Sequence, residues 1–240
     1  MSAVPVRLIS RERIAEATEL FRFEKPAGFE YKAGQAVDIA LIDPPITDEQ
    51  GTSRAFSLVG APSERELTIA TRMRQSAFKR TLKDLPIGAR VNLDGPFGSL
   101  TLHDNRARKA VFIAGGIGVT PFVSMLRHAA AERLPGEFVL VYSNRRPEEA
   151  AFLEELRQHE KRMERFRLVA TMTQAQTSRL PWHGETERIE ADFLKKAAVD
   201  LAGSVCYVAG PPGLVNAGRL ALNGVGVDDD DIRSEEFFGY

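Results

Sequence analysis

The chain has 240 residues, 43% of them hydrophobic, and its 32 basic and 33 acidic side chains give a formal net charge of −1. This length suits one large domain or two modest ones, and the composition predicts a soluble globular protein. The basic residues are spread along a nearly neutral chain, which is not the charge pattern of a nucleic-acid-binding surface. We therefore expect small-molecule or protein partners and no nucleic acid.

The cysteine content excludes two kinds of site. Cys206 is the only cysteine, so the chain has neither an internal disulfide nor the four thiolates of an iron–sulfur cluster. The four histidines have no ligand spacing, and we expect no metal site. Pro5, Arg7 and Arg11 interrupt the first residues before an apolar core of signal-peptide length develops. We therefore expect a cytoplasmic protein.

The first hundred residues contain short apolar or alternating segments separated by turn signals: VRLIS, TELFRFE, AVDIALI, AFSLVG, ELTIATR and ARVNLDG. This spacing is typical of an antiparallel sheet and predicts a closed barrel. One helix is predicted from Ser76 to Leu85, with Ser76 as its N-cap and Pro86 just past its end. We assign residues 1–103 to this β-barrel domain.

After the polar linker HDNRARK, strands alternate with helices. The strand signals AVFIA, FVLVYS, FRLVATM and VCYVAG are each followed by a helical signal, in order PFVSMLRHAAAERL, PEEAAFLEELRQHEKR, IEADFLKKAA and PPGLVNAGRLALNGVG. Four such units predict a doubly wound parallel sheet, which we assign to residues 104–240.

Residues 110–126 carry no charge, which raises the question of a membrane helix. The segment is shorter than the ~20 residues that a spanning helix needs. Three glycines and a proline at its centre favour a buried strand, a turn and a buried helix. We therefore expect no integral membrane segment.

A glycine-rich turn, AGGIGVTP at 114–121, joins the first strand of the predicted parallel sheet to its helix. Such a turn directs backbone N–H groups and the positive end of a helix dipole at the space above the sheet, which suits a pyrophosphate. Pro121 fits the first helical turn, where its missing N–H is not needed. The stretch departs from the dinucleotide fingerprint G-x-G-x-x-G at Thr120 and Pro121, and by itself it is equally compatible with plain packing.

The neighbouring strand ends in the polar residues Ser143, Asn144, Arg145 and Arg146. In a doubly wound sheet this is where the ribose of a bound nucleotide and its 2′ substituent lie. Two arginines favour the 2′-phosphate of NADPH over the 2′-hydroxyl of NADH. The alternative is that both arginines pair with Glu148 and Glu149.

The chain resembles the ferredoxin-NADP reductase superfamily over nearly its whole length. The motifs that carry the resemblance are RAFS at 54–57, Ser76 at a helix start, GPFG at 95–98, GGIGVTP at 115–121, AGPP at 209–212 and EEFFGY at 235–240. No single motif identifies the superfamily, but the order and spacing of all of them along the chain are specific to it. The resemblance implies a β-barrel FAD domain followed by an α/β NAD(P)-binding domain, in which Thr120 and Pro121 are expected.

The resemblance also implies roles for individual residues. Arg54 binds the FAD pyrophosphate, Phe56 stacks on the flavin ring in place of the family's usual tyrosine, and Ser57 presents its hydroxyl near flavin N5 as a catalytic residue. Ser76 and Ala77 open the helix that faces the pyrophosphate. The remaining implied wall and loop positions are Ala55, Ile69, Ala70, Thr71 and Met73 around the flavin, and Gly115, Gly116, Gly118, Thr120, Pro121, Ala209, Gly210, Pro211 and Pro212 around the nicotinamide nucleotide.

The C-terminal residues complete this expected site. Glu235 or Glu236 forms a catalytic polar pair with Ser57, and one of the aromatics Phe237, Phe238 and Tyr240 covers the flavin until nicotinamide displaces it. Plain burial of a hydrophobic tail is the alternative for these aromatics. Ala209 stands where the family often has a cysteine, so the thiol near the nicotinamide is absent.

The resemblance implies an FAD-dependent oxidoreductase that takes hydride from NAD(P)H, with NADPH slightly favoured. Because one cysteine cannot hold an iron–sulfur cluster, we expect a separate electron acceptor: a ferredoxin or other redox protein, an oxygenase component or a small molecule. The main alternative is an FAD-holding electron-transfer subunit of a larger complex. A flavin-free Rossmann dehydrogenase is less favoured because the usual acid–base residue on a substrate domain is missing.

Overall fold

The computed structural model describes residues 3–197 and 201–238, in which an antiparallel sheet precedes a parallel one. The strands in this part of the chain are β1 Val4–Ala15, β2 Thr18–Glu24, β3 Ala36–Leu41, β4 Ser53–Ser57, β5 Glu66–Arg72, β6 Arg90–Phe97, β7 Ala110–Gly115, β8 Phe138–Asn144, β9 Phe166–Met172, β10 Val205–Gly210 and β11 Ile232–Glu236. The helices are α1 Ala77–Asp84, α2 Thr120–Ala131, α3 Leu153–Arg162, α4 Ala191–Ala197 and α5 Pro212–Gly224.

The antiparallel sheet closes into a barrel. Its strands lie in the order β4-β3-β6-β1-β2-β5, and the chain beyond β4 returns to β5, where Leu58 bridges Ile69 and the Val59 N–H donates to the Thr68 carbonyl over 2.8 Å. Large apolar side chains such as Phe21 and Phe23 fill the interior and are fully buried. The predicted barrel is therefore confirmed.

Helix α1 closes one end of the barrel through the apolar face formed by Phe78 and Leu82. Ser76 is its N-cap, as predicted, and the Ser76 hydroxyl accepts a hydrogen bond from the Lys79 N–H over 3.3 Å. A serine in this position satisfies one of the N–H groups that a helix start leaves without a partner. The N–H of Ala77, the first residue of the helix, donates to Oδ2 of Asp48 over 2.9 Å.

The second sheet is parallel throughout, with the strand order β11-β10-β7-β8-β9. Helices α2 and α3 pack on one face and helices α4 and α5 on the other, so the predicted doubly wound architecture is confirmed. The chain leaves β7 toward β8 and later returns to β10 on the opposite side of β7. The carboxyl ends of β7 and β10 therefore border a topological switch point, where ligands of such sheets bind.

Two elements differ from the sequence prediction. The predicted helix over 147–162 begins only at Leu153, because Phe152 adopts a left-handed backbone conformation with φ of +62° that ends the preceding short turn. Strand β11 was not predicted, because only its first residue, Ile232, is buried and its sequence is otherwise polar. An edge strand with one buried residue has no clear alternating pattern.

The barrel and the parallel domain share apolar core. Val59 and Ala70 of the barrel lie in one cluster with Val119 and Phe122 at the start of α2. The Ser124 hydroxyl on the same helix donates to the Gly60 carbonyl over 2.6 Å. The predicted boundary between 103 and 104 lies between β6 and β7 and stays a prediction.

The uncharged segment 110–126 forms β7, a short turn and the first part of α2, as expected from its glycines and proline. Within residues 3–197 and 201–238, no helix is both long and apolar enough to cross a bilayer.

A buried histidine fastens the linker to β10. The His103 backbone N–H donates to the Tyr207 hydroxyl over 2.8 Å, the same hydroxyl lies 2.8 Å from Nδ1, and Nε2 lies 3.1 Å from the Arg108 carbonyl. A neutral imidazole with its proton on Nε2 satisfies all of these groups. Burial lowers the pKa of His103, and the nearby charges of Arg106 and Arg233 act in the same direction.

This lowered pKa predicts a pH-dependent stability. Because the unfolded chain takes up the proton first, the stability contributed by neutral His103 is present above its ordinary pKa of 6.5 and is lost as the pH falls below it. We expect the free energy of unfolding to fall more steeply between about pH 7.5 and about pH 5.5 in the wild type than in His103→Gln. Urea unfolding at both pH values measures this difference.

The matched control is His183→Gln, because His183 is an exposed side chain. It should keep the wild-type pH slope. If His103→Gln also keeps that slope, the account of the linker histidine is wrong.

Candidate functional site: the cleft between barrel and parallel sheet

The glycines at the ends of β7 and β10 allow these two strand exits to approach backbone to backbone. A Cβ added to Gly118 would lie 2.5 Å from the Ala209 carbonyl oxygen, and one added to Gly210 would lie 3.1 Å from the Gly115 nitrogen. Gly116 has a φ of +54°, a left-handed conformation that glycine adopts freely. Packing alone thus requires glycine here.

The turn leads directly into α2. Residues 116–119 form one 3-10 turn, the Thr120 hydroxyl donates to the Ile117 carbonyl over 3.0 Å, and Pro121 sits in the first turn of the helix. The structure therefore brings together, at one place, the predicted nucleotide-loop positions Gly115, Gly116, Gly118, Thr120, Pro121, Ala209, Gly210, Pro211 and Pro212.

The close approach predicts that even a methyl group is costly at this point. Gly118→Ala should lower the free energy of unfolding by about 2 kcal/mol, because backbone atoms that cannot yield face the new Cβ. Urea unfolding measures the loss.

Gly213→Ala is the matched control, because Gly213 lies in the first turn of α5 with no atom within 4 Å of an added Cβ. We expect it to be neutral or stabilising by up to about 1 kcal/mol. Equal effects of the two substitutions would contradict the packing account.

A cavity of about 950 Å³ lies between the barrel and the parallel domain. Its walls come from β4, β5, the start of α1, the glycine turn and the C-terminal strand. The predicted site residues that line it are Arg54, Ala55, Phe56, Ser57, Ala70, Thr71, Ser76, Thr120, Glu235, Glu236, Phe237 and Phe238. Residues that were not in the predicted site also line it: Ala36, Asp48, Glu49, Gln50, Arg72, Arg74, Gln75, Lys79 and Ile117.

One end of the cavity is cationic. Arg54, Arg74 and Lys79 line this end beside the N-terminus of α1, and the Arg54 guanidinium lies 5.3 Å from the centre of the Phe78 ring. The Lys79 ammonium donates to the Arg72 carbonyl over 2.8 Å. Burial, together with the charges of Arg74 and Arg54, lowers the pKa of Lys79 to about 8. An anion bound here would relieve this crowding of positive charge.

Sequence reasoning missed Arg74 and Lys79. A signal for Lys79 was available: it is the third residue of α1, the helix whose N-terminus the sequence predicts to face the FAD pyrophosphate. A second signal was Arg74, the basic residue two positions after β5 and three before the first residue of α1.

Other parts of the cavity wall carry apolar side chains and two further polar groups. Phe56, buried against Phe78 with ring centres 5.9 Å apart, lines the cavity, as does Ile117. Ser57, which is buried, and Glu235 on strand β11 also line it. Burial raises the pKa of Glu235, so this carboxyl holds a proton more readily than one in water.

The C-terminal segment crosses the end of β10. The Phe237 N–H donates to the Gly210 carbonyl over 2.9 Å, and both Phe237 and Phe238 line the cavity. Phe238 is 77% exposed, so its ring is not held in the core. Tyr240, the third candidate for the flavin cover, lies outside the described residues.

Several predicted positions have side chains away from this cavity wall. Ile69 is fully buried in the barrel core, and Met73 packs against the same core. Ala77, the first residue of α1, is also buried. For Ile69, the alternation of strand β5 directs its side chain inward with Leu67.

The arginines at the end of β8 have acidic partners. The Glu149 carboxylate, 1% exposed, accepts hydrogen bonds from Arg145 over 2.6 Å, from Arg146 over 2.7 Å and from Arg72 over 2.5 Å. Burial by itself raises the pKa of Glu149, but hydrogen bonds from Arg145, Arg72 and Arg146 outweigh it and lower the pKa to about 2. The pairing considered as an alternative from the sequence is therefore present, and Ser143 and Asn144 lie beside it at the end of β8.

Because Arg72 belongs to the barrel, Glu149 links the two domains. Glu149→Gln keeps the size of the side chain and removes the charge that holds three arginines, so we expect a loss of about 2 kcal/mol in the free energy of unfolding at neutral pH. In the wild type this contribution is present above pH 4.5 and is lost as the pH falls toward the lowered pKa. Urea unfolding checks the loss.

Glu154→Gln provides the control, because Glu154 is 69% exposed and lies 3.7 Å from its partner Arg157. We expect a change close to zero for such a surface pair. A Glu149→Gln variant as stable as this control would show that the buried carboxylate does not hold the domains together.

Comparisons with known proteins agree with this architecture. Residues 112–219 match the family of the oxidoreductase NAD-binding domain, a range that contains the glycine turn and the ends of β8 and β10.

Relatives in sequence are reductase components. The reductase component of propane 2-monooxygenase from Mycolicibacterium smegmatis is 27% identical over 217 residues, which are 89% of this chain and 61% of that protein. Reductase component 2 of terephthalate 1,2-dioxygenase from Comamonas sp. is 26% identical over 235 residues, 96% of this chain and 67% of that protein. The chain thus spans only part of the length of these relatives.

Solved structures share the fold. A ferredoxin NADP+ reductase from Neisseria gonorrhoeae with bound FAD and NADP superposes with a TM-score of 0.82 at 20% identity, covering 99% of this chain and 100% of that one. The cytochrome P450 reductase GcoB from Amycolatopsis superposes with a TM-score of 0.80 at 21% identity, covering 98% of this chain and 70% of that one. The chain therefore shares the two-domain fold of these structures, as its motifs predicted.

Proposed function

We propose that the chain is an FAD-dependent oxidoreductase that takes hydride from NAD(P)H onto flavin N5 and passes the electrons to a separate acceptor. The observation that carries the proposal is the cavity between the domains, whose wall combines basic side chains near the start of α1 with apolar side chains that include Phe56 and Ile117. The two kinds of side chain suit different parts of a flavin dinucleotide.

The residues present fit FAD by their chemistry. Arg54, Arg74 and Lys79 and the first N–H groups of α1 are donors for a pyrophosphate. Phe56 and Ile117, with Ala70 and Thr71 on β5, offer a flat apolar wall for the isoalloxazine ring. FAD bound there supplies the hydride-accepting chemistry, and the protein supplies orientation and exclusion of water.

The nucleotide is proposed to bind at the switch point. The 116–119 turn and the start of α2 face its pyrophosphate, and the end of β10 from Ala209 to Pro212 lies beside its nicotinamide. Ser57 and Glu235 line the same cavity as Ile117 of this turn. We propose that the Ser57 hydroxyl orients the reacting ring edge and that Glu235, with its raised pKa, holds a proton beside it. Glu236 is more exposed and is the weaker candidate for that role.

We propose a separate electron acceptor for the chain. The relatives named above are reductase components of oxygenases, which supports an oxygenase component or a ferredoxin as the acceptor. A small diffusible acceptor and an FAD-holding subunit of a larger complex are the other candidates, and a stoichiometric partner after purification would favour the subunit. We propose the cytoplasm as the location.

The proposal is tested by loading and turnover. Apoprotein titrated with FAD should bind one equivalent, and the loaded protein should reduce ferricyanide with NADH or NADPH as the electron source. Protein that binds no FAD, or that binds FAD and turns over neither nucleotide, would contradict the proposal.

Ser57→Ala tests the proposed catalytic position. Loss of the hydroxyl should slow reduction of the bound flavin by NAD(P)H roughly tenfold to a hundredfold, a range set by the loss of one positioned polar group. FAD affinity should stay unchanged because pyrophosphate contacts dominate it. Stopped-flow absorbance measures the rate, and a wild-type rate in the variant would remove Ser57 from the mechanism.

Arg145→Ala tests the nucleotide preference. Arg145 is 53% exposed, against 25% for Arg146, and among the described residues its side chain pairs with Glu149 alone. It is therefore the cation at the end of β8 that is more open to a 2′-phosphate. We retain the slight preference for NADPH and expect the variant to lose about fivefold in kcat/KM for NADPH relative to NADH. Arg157→Ala on α3 should leave the ratio unchanged, and an unchanged ratio in Arg145→Ala as well would exclude this role.

A further inference from the structure

The segment between β3 and β4, residues 42–52, lies along the cationic end of the cavity. Its base is closed by the Leu41 N–H, which donates to the Thr52 carbonyl over 2.9 Å. The segment contains neither helix nor strand, and Asp48, Glu49 and Gln50 at its tip line the cavity. It therefore meets the site through its own acidic residues.

Asp48 already uses the donors that a phosphate would need. One carboxylate oxygen, Oδ2, accepts a hydrogen bond over 2.9 Å from the N–H of Ala77, the first residue of α1. The other, Oδ1, lies 3.5 Å from Nη2 of Arg54. A carboxylate between an arginine and a helix N-terminus has the same electrostatic partners as a bound phosphate.

The same segment also engages the rest of the Arg54 guanidinium. Nη1 donates to the carbonyls of Gln50 over 2.7 Å and of Ser53 over 2.6 Å, and Nη2 donates to Oε1 of Gln50 over 3.0 Å. Phe78 covers one face of the guanidinium. In this arrangement Arg54 faces the segment, and a phosphate has to replace segment contacts to reach it.

We propose that Asp48 is an internal competitor for the pyrophosphate site, and that it must leave the α1 N-terminus and Arg54 before a dinucleotide can bind there. This inference rests on the proposed function. On this proposal, Asp48 lowers the affinity of the site for a pyrophosphate.

Electrostatics favours the pyrophosphate over the Asp48 carboxylate at this site. A pyrophosphate and the Asp48 carboxylate repel each other and cannot accept from the same Ala77 N–H. Arg74 and Lys79 line the same end of the cavity, and the cationic surplus they provide favours the more highly charged pyrophosphate over one carboxylate. The exposed segment can move away without unfolding the barrel, because its base is held by the Leu41–Thr52 hydrogen bond.

The test measures binding with two probes, FAD and ADP, by calorimetry on apoprotein. ADP carries the pyrophosphate without a flavin, so it reports the cationic end of the cavity alone. We expect Asp48→Asn to lower the Kd for both probes about tenfold, which corresponds to about 1.4 kcal/mol. Asp48→Ser should repeat the effect, so that one poorly folded variant does not decide the result.

Asp43→Asn is the matched control. Asp43 belongs to the same segment and carries the same charge, but it does not line the cavity. Its φ of +44° is a conformation that asparagine adopts readily. This variant should keep the wild-type Kd for both probes.

Each other outcome has a definite meaning. Equal or weaker binding of FAD and ADP by Asp48→Asn and Asp48→Ser would overturn the inference while wild-type binding of FAD still supports the proposed function. A tenfold gain in Asp43→Asn as well would attribute the effect to net charge and overturn the specific role of Asp48. Failure of the wild type to bind either probe would contradict the proposed function, and this inference with it.

Discussion

The docking of helix α2 against the barrel is the contact on which the rest of the site depends. Val119 and Phe122 at the start of this helix are fully buried in the same cluster as Val59 and Ala70 of the barrel. Each such side chain contributes about 1.5–3 kcal/mol when it leaves water. Because α2 begins at the glycine turn, burial of its first residues also sets the distance between that turn and the cavity beside β4 and β5.

The close packing of the two strand exits requires glycine at the ends of β7 and β10. Gly118 and Gly210 permit the ends of β7 and β10 to touch, which no larger residue would allow without a shift of backbone. The packing that was one explanation of GGIGVTP in the sequence is therefore present, and it is compatible with the nucleotide binding proposed for this turn.

Local patterns predicted much of the fold. The segments TELFRFE and ELTIATR match β2 and β5 residue for residue, because alternation and flanking turns define them. The Ser76 cap likewise specified the start of α1. Local pattern could not predict the late start of α3, because the left-handed Phe152 is a tertiary feature, with its buried ring under the Arg127 guanidinium. Nor could it predict β11, an edge strand with one buried residue.

The candidate site was predictable where motifs marked it and not where distant segments meet. Arg54, Ser57 and Thr120 were identified from their motifs and lie on one cavity. Asp48 was missed, because only the folded barrel brings the β3–β4 segment to the start of α1. The choice of Glu149 as the shared partner of Arg145 and Arg146 likewise depends on a third arginine, Arg72, supplied by the barrel.

The central claim is that hydride crosses the cleft from a nucleotide at the switch point to a flavin in the cavity. Anaerobic mixing of FAD-loaded protein with NADH or NADPH, followed by visible absorbance, tests this claim most directly. The account predicts loss of the oxidised flavin absorbance with at least one nucleotide, and a slower loss when the transferred hydrogen of that nucleotide is deuterium. Bound flavin that stays oxidised with both nucleotides would contradict it.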